Sequence, residues 1–387
     1  MRVLFTSTPA VGHVHPMVPL ARAFRDGGDR VGWATGAELC SQLAAEGFEA
    51  MPAGLGALES RREFYGRFPE YWSLPQADGP AFMFPRLFGI VRAPRMLADL
   101  LICVREWKPD LIVHDAAEFA GAIAAAVAAV PAVTHSFGGL TPADAVAAVS
   151  REVAPLWEAS GLQPRPYAGS YDSLYLDIYP ESLRFGRWDH VPFVQFLRPD
   201  GFALPGSEPL PSWLGDDATL PVVYVTFGTV FNRDIARLAT VISALHGLPL
   251  RVIVTVGPAG DPAAVGQQPA NVHVARYLRQ SDLLPACTAV ISHAGSGTLL
   301  ATLAAGLPQL CLPQAADQFR NATACARAGA GILVQPEDIT TDIVRDATTC
   351  LLAETSFREQ ARQLADEIAG MPRSSAVAGI IRTHCTQ

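Results

Sequence analysis

The chain is short of the features that mark several protein classes. Its seven cysteines (40, 103, 287, 311, 325, 350 and 385) are scattered, odd in number and without a Cys-x-x-Cys pair. Zinc and redox motifs are therefore not indicated, and the thiols read as small buried hydrophobes in a reducing cytoplasm. Only 17% of the 387 residues are charged. The 29 Lys and Arg against 37 Asp and Glu leave a net charge of −8, with no basic cluster to neutralise a run of phosphates, so nucleic acid is not an expected partner. Long hydrophobic runs are missing too. The first residues turn polar after three apolar ones, too few for a secretory leader, and the apolar stretch 121–133 is interrupted by Pro131. That stretch falls short of the ~20 residues that span a bilayer.

What is present is half hydrophobic sequence over a length greater than one core usually reaches, which predicts two globular domains. Short apolar runs at 3–5, 30–34, 111–113 and 132–134 alternate with helical spacing at 16–25, 38–46 and 118–129. Alternation of this kind predicts an α/β, doubly wound parallel sheet. Prolines 199, 205, 209, 211 and 221, with Gly201, Gly206, Gly215 and the pair Asp216-Asp217, compose an interdomain linker near 199–219. The expected domains are 1–205 and 206–387, with the final helix free to pack back on the first. Past the linker the rhythm restarts, with strands at 222–227, 250–256, 272–275, 289–292 and 309–312 and helices from about Asp234 to Leu245 and from Thr298 to Ala305. Residues 52–98 break the pattern with Phe64, Tyr65, Phe68, Tyr71, Trp72, Phe82, Phe84 and Phe88 crowded together. Two readings stand for them, the lining of a ligand cleft or amphipathic helices covering the sheet, and 136–175 poses the same choice.

In open parallel sheets ligands sit beyond the carboxyl ends of the strands. Four loops in that position are unusual. Ser292-His293-Ala294-Gly295-Ser296-Gly297-Thr298 leads from a strand into a helix, exposing backbone N–H groups to an anion; a plain tight turn is the alternative. It has neither the lysine of a Walker loop nor G-x-G-x-x-G spacing. Thr226-Phe227-Gly228-Thr229 is a second such turn. Asp317-Gln318 offers a carboxylate and an amide to sugar hydroxyls, unless Asp317 is a helix N-cap. His13 and His15, two residues apart, do not share a helix face as a zinc pair would. A histidine just before a helix start stays available as a proton acceptor, and Asp115 at the end of another strand of that sheet is the carboxylate to orient it. Simple surface polarity is the other reading of His13.

The order of these pieces resembles bacterial members of glycosyltransferase family 1, the GT-B antibiotic and natural-product glycosyltransferases, from end to end. The anchors are Gly12-His13-Val14-His15-Pro16, Pro109-Asp110-Leu111-Ile112-Val113-His114-Asp115, Thr226-Phe227-Gly228-Thr229, Arg276-Tyr277-Leu278-Arg279-Gln280, Ser292 to Thr298, and Asp317-Gln318. The resemblance implies two Rossmann-like domains facing across a cleft, the first binding an acceptor and the second a nucleotide-sugar. His13 would deprotonate an acceptor hydroxyl with Asp115 holding the imidazole, and the anomeric configuration would invert. Gly228, Thr229, His293, Gly295, Ser296, Gly297 and Thr298 would hold the diphosphate, Asp317 and Gln318 the sugar, and Tyr277 with Leu278 the base. No cofactor or obligatory metal is implied; the donor, a dTDP-deoxysugar or UDP-glucose type, is a co-substrate. The acceptor would be a hydrophobic natural product such as a polyketide or macrolide, the protein cytoplasmic, and the assembly a monomer or homodimer. Other readings are a C-glycosyltransferase, an enzyme of this fold that isomerises a sugar nucleotide, or a silent nucleotide-sugar-binding auxiliary. Two residues depart from the family pattern. Arg279 stands where a proline is common and changes the turn beside Tyr277, and Ala294 stands where glycine is common, its Cβ restricting positive φ.

Overall fold

The computed structural model describes residues 1–75, 78–201, 207–214, 220–228 and 235–385. Thr229, the helix start at Asp234, Asp216-Asp217 and the expected boundary between 205 and 206 lie outside them. The described chain forms two α/β units. The first contains a seven-stranded parallel sheet of β1 (Arg2–Thr6), β2 (Arg30–Thr35), β3 (Glu49–Pro52), β4 (Leu111–Asp115), β5 (Ala132–His135), β6 (Tyr175–Asp177) and β7 (Val194–Phe196). Their order is β3-β2-β1-β4-β5-β6-β7. Val3, Leu4 and Phe5 of β1 and Leu111, Ile112 and Val113 of β4 have no exposed surface, as expected for central strands covered on both faces. Leu4 and Ile112 face a core with Phe119, Ile123, Leu100 and Trp157. The Ala-rich helix Ala120–Ala128 lets its neighbour Ala93–Trp107 approach closely.

The second unit repeats the plan with β8 (Val222–Thr226), β9 (Arg251–Thr255), β10 (Val272–Ala275), β11 (Ala289–Ser292), β12 (Gln309–Cys311) and β13 (Gly331–Leu333), ordered β10-β9-β8-β11-β12-β13. Alternation along β8 feeds two cores: Val223 and Val225 pack with Val252, Val254 and Ile291, whereas Val222 and Tyr224 pack with Ile253, Val290 and Leu278. The Rossmann-like halves expected from sequence are thus present, together with short strands at β3, β6, β7 and β13 that the apolar runs do not mark. Among the described residues no helix is long and apolar enough to cross a membrane.

The units are not divided by one cut. Met1–Ile178, Phe185–Asp200 and Pro372–Gln387 form the first, and Tyr179–Arg184 with Gly201–Met371 form the second. Local bonds explain each exchange. The Tyr179 hydroxyl donates to Asn321 Oδ1 at 2.7 Å, and the Ser182 N–H to Glu367 at 3.0 Å. The terminal helix Ser374–Cys385 packs on helix Val18–Asp26, where Arg382 donates to Asp29 Oδ2 at 2.6 and 2.9 Å.

Asp29 also takes the N-terminal ammonium at 2.7 Å and is only 7% exposed. Removing a largely buried carboxylate between two cations costs more than removing a surface ion pair. Asp29→Ala should therefore destabilise the protein by about 1–3 kcal/mol in urea titration, and hydrogen exchange should quicken first in 374–385.

Candidate functional site

In each unit the strand order reverses beside the first strand. At β1/β4 and at β8/β11 the crossovers on either side run away from each other, which opens the loops there to a ligand. Each of the unusual loops at 12–15, 115, 226–228 and 292–298 leaves a strand at one of these two points.

In the first unit, helical winding begins at Val11, earlier than the spacing at 16–25 predicts. His13 therefore lies inside the turn Val11–Val14, which continues through His15–Met17 into Val18–Asp26. Its Nδ1 is 2.9 and 3.2 Å from the two carboxylate oxygens of Asp115, the last residue of β4. Asp115 has no exposed surface and also accepts from Thr8 N–H at 3.3 Å, Thr8 Oγ1 at 3.2 Å and Ala117 N–H at 3.1 Å. Burial alone would push this carboxyl up; the His13 ring and the backbone donors outweigh burial and hold it below the ordinary carboxylate range. With Nδ1 committed to Asp115, Nε2 is the nitrogen left for a substrate. The ring is 16% exposed and lies against Phe137 at 4.1 Å and Phe88 at 6.1 Å.

The two readings of the aromatic stretch divide between its residues. Phe64, Tyr65, Phe68, Tyr71 and Phe82 pack on one another around Leu55 and Val91, a small core of helices. Phe88, on the π-helix Pro85–Arg92, instead reaches His13. Phe137 does the same from 136–175.

In the second unit the turn after β11 leads into the helix Ser296–Ala304, whose first intrahelical donor is Leu299, bonded to Gly295 O at 2.9 Å. Among the described residues the N–H groups of Ser296, Gly297 and Thr298 are thus without backbone partners, and the helix dipole points its positive end at the same place. Ala294 adopts φ +59°, so the turn takes the left-handed conformation despite its Cβ. Its N–H donates to Ser292 Oγ at 3.0 Å, and its carbonyl accepts from Asn321 Nδ2 at 3.0 Å. Ala316, beside Asp317, is left-handed too, at φ +56°. Left-handed non-glycine residues cost roughly 1–2 kcal/mol each and collect at functional loops.

Asn321 ties these loops together. The same amide donates to Ser296 Oγ at 3.0 Å and Asp317 Oδ2 at 2.9 Å, and Ser296 Oγ donates to Asp317 at 2.7 Å. Asp317 occupies the N-cap position of Gln318–Arg327 without a side-chain cap bond. Gln318 is buried and its Oε1 accepts the N–H groups of Gln314 and Ala315 at 2.7 and 3.0 Å, so its carbonyl shapes the loop. Asn321, Thr8 and Ala117 were not singled out from sequence. The i, i+4 spacing of Asp317 and Asn321 on one helix face is the signal that points to the first of them.

His293 is buried, its Nδ1 without a hydrogen-bond partner, and desolvation lowers its pKa to about 4, with Asp317 opposing. Gly228 and Gly295 enclose the ring. A Cβ on Gly228 would stand 2.7 Å from His293 Cε1, and one on Gly295 2.5 Å from Nε2. Gly228 also has φ +72°. Thr298 Oγ1 accepts from Gln280 at 3.3 Å. Tyr277 is half-buried, whereas the Leu278 side chain is fixed in the core and has only its backbone to offer a ligand. Arg279 sits at φ −67°, a value proline would share, so the turn is kept, and its N–H donates to Ser207 Oγ at 2.9 Å. Among the described residues no three His, Cys, Asp or Glu side chains converge as a metal-ligand set.

Two outcomes follow. Gly228→Ala should cost about 1–2 kcal/mol or more in chemical denaturation, from a left-handed Cβ pressed on the His293 ring. His293 in the unfolded chain protonates near 6.5 but in the folded one near 4. The unfolded state therefore binds the extra proton between these values, and this contribution to stability is complete above 6.5 and declines as pH falls toward 4. Ring signals in an NMR titration should place the His293 midpoint below 5; a midpoint near 6.5 would contradict the buried neutral ring.

Residues 22–184 match the N-terminal domain of the erythromycin biosynthesis protein CIII-like (EryCIII-like) family, and 239–383 its C-terminal domain. The chain is 31% identical to elloramycin glycosyltransferase ElmGT of Streptomyces olivaceus, over 99% of this chain and 97% of that one. It is 32% identical to L-demethylnoviosyl transferase of Streptomyces niveus, over 98% and 97%. Among solved structures, the glycosyltransferase SnogD of Streptomyces nogalater matches with a TM-score of 0.79 at 29% identity, covering 100% and 99% of the two chains. Glycosyltransferase VinC, crystallised with dTDP, matches with a TM-score of 0.82 at 26% identity over the whole of both chains.

Proposed function

Since the chain belongs to the EryCIII-like family of bacterial natural-product glycosyltransferases, with their GT-B fold, we propose that it transfers its sugar with inversion, using His13 as the base. The protein is a glycosyltransferase; the proposal concerns its chemistry. The observation that carries the proposal is the His13–Asp115 contact at 2.9 Å, with the second ring nitrogen left over. Nε2 takes the proton of an acceptor hydroxyl while Asp115 stabilises the imidazolium that forms. The oxygen attacks the anomeric carbon from the face opposite the diphosphate. A carbon–oxygen bond forms there as the bond to the diphosphate oxygen breaks, and the pair of electrons leaves with the nucleotide.

Charge developing on that leaving group is met by the free N–H groups of Ser296, Gly297 and Thr298 and the dipole of their helix. Neutral His293 can donate one hydrogen bond. Asp317, its remaining oxygen unengaged by Ser296 or Asn321, faces the sugar hydroxyls, and Tyr277 takes the base. A thymidine diphosphate sugar is the favoured donor, because two of the solved relatives, VinC and SsfS6, were crystallised with thymidine diphosphate. A hydrophobic acceptor suits Phe88 and Phe137 against the His13 ring.

His13→Ala and Asp115→Asn should each lower kcat by about a hundred- to ten-thousand-fold, followed as nucleoside diphosphate released from dTDP- and UDP-sugars with phenolic and macrocyclic acceptors. Unchanged turnover in His13→Ala would remove it as the base. NMR coupling at the anomeric proton should report inversion, and a retained configuration would overturn direct displacement.

A further inference from the structure

Beside the His13–Asp115 pair, the first unit has a small pocket lined by Thr8, Leu55, Phe88, Met96, Glu118 and Phe119, with Arg92 in its wall. Arg92 is only 9% exposed. Its Nε and Nη2 both donate to Ser60 Oγ, at 3.2 and 3.1 Å, and its guanidinium lies 5.0 Å from the centre of the Phe88 ring. Among the described residues no carboxylate stands within 4.0 Å of it, and Nη1 has no hydrogen-bond partner. The carboxylates near enough to act on it through space are already engaged. Asp115 holds His13, Thr8 and Ala117, and Glu38 accepts the Ala57 N–H at 2.6 Å. Glu118, in the same pocket, is tied to Thr6 Oγ1 at 2.5 Å and to the N–H groups of Ala120 and Gly121. Arg61 adds a second positive charge nearby, which makes the site worse for a lone cation.

A buried guanidinium is costly when no carboxylate makes direct contact with it, and Asp115 and Glu38 act on this one only through space. Ser60 alone is a weak return for that cost, and an anion arriving with a ligand would supply the missing partner in a desolvated, bidentate geometry. Phe88 touches both His13 and Arg92, so a flat aromatic molecule resting on it can present one oxygen to each.

We propose that Arg92 reads an oxyanion of the acceptor, a carboxylate or an ionised enol or phenol, so that the enzyme selects aromatic acceptors carrying an acidic group besides the hydroxyl to be glycosylated. This rests on the acceptor reading of the first unit. Arg92 is thereby a specificity-determining residue, and Phe88 the platform between it and the base.

The test uses the full-length protein and two probes, a hydroxynaphthoic acid and its methyl ester, at neutral pH where only the first is charged. Equilibrium binding by fluorescence should favour the acid by about tenfold, and Arg92→Gln should bring the two within about twofold. Arg92→Lys, which keeps the charge and loses the fork, should fall between. Equal affinities in the wild-type protein, or a preference that survives in Arg92→Gln, would overturn the proposal. Melting temperature and thymidine diphosphate binding report whether each variant is folded, and if Arg92→Gln is not, the wild-type ratio and Arg92→Lys decide. Binding is read without turnover. An Arg92-dependent preference in a protein that transfers no sugar would thus support this inference while counting against the transferase chemistry, and transfer without the preference would do the reverse.

Discussion

A parallel sheet that is wound in both directions from one strand has to leave an opening at the reversal. Every crossover carries the chain from a carboxyl end back to an amino end, and where successive crossovers turn opposite ways their helices cannot close over the loops between them. Both sheets of this protein reverse beside the strand that begins them, at β1/β4 and β8/β11. Loops at that opening have water or ligand on one side and a fully buried sheet on the other. Polar groups placed there must be held from behind, and most of the side-chain bonds described above do that holding. Thr8 and Ala117 support Asp115; Ser292 and Asn321 support the turn at Ala294.

The openings explain why so much of the arrangement could be read from sequence. A strand covered on both faces is a continuous apolar run, as in 111–113 and 289–292, and a loop at a reversal interrupts it abruptly with glycine, histidine or aspartate. Those two signals are local. The strands that went unmarked are short ones: β3, with Glu49 exposed at its start, and β6, β7 and β13, each three residues long. No periodicity can develop over three residues, and β12, equally short, is legible only because Leu310, Cys311 and Leu312 form an apolar run. Supporting residues were hidden for another reason. Ser60 matters because it lies against Arg92, 32 positions away, and Tyr179 because it reaches Asn321, 142 positions away. Pairings at such separations leave no trace in the neighbouring sequence. The four exchanges of chain between the units have the same origin, since they rest on pairings between distant residues such as Arg382 with Asp29.

Two residues show where family expectation and physics part. At Ala294 a Cβ argues against positive φ, yet the backbone adopts it, with Asn321 holding its carbonyl and Ser292 its N–H. At Arg279 the φ that proline would impose is reached without proline, through the bond from its N–H to Ser207. In both cases a hydrogen bond replaces an intrinsic preference. The conformation of a loop is thus better inferred from the donors and acceptors that must be satisfied around it than from the propensity of the residue at its tip.

The two histidines of the proposed reaction illustrate how burial assigns roles. His293 is enclosed by Gly228 and Gly295, has no carboxylate bonded to it among the described residues, and is held neutral to about pH 4. A neutral ring contributes a hydrogen bond and no charge, so the negative charge of a departing diphosphate falls to the N–H groups of Ser296, Gly297 and Thr298, whose dipoles are fixed before the reaction begins. His13 has the opposite environment, with a fully buried carboxylate against one nitrogen and a partly open ring. An imidazolium formed there is stabilised at once by Asp115, which burial would otherwise drive toward protonation. In the proposed reaction the histidine with a buried anion behind it accepts the proton, and the one enclosed by glycines stays neutral.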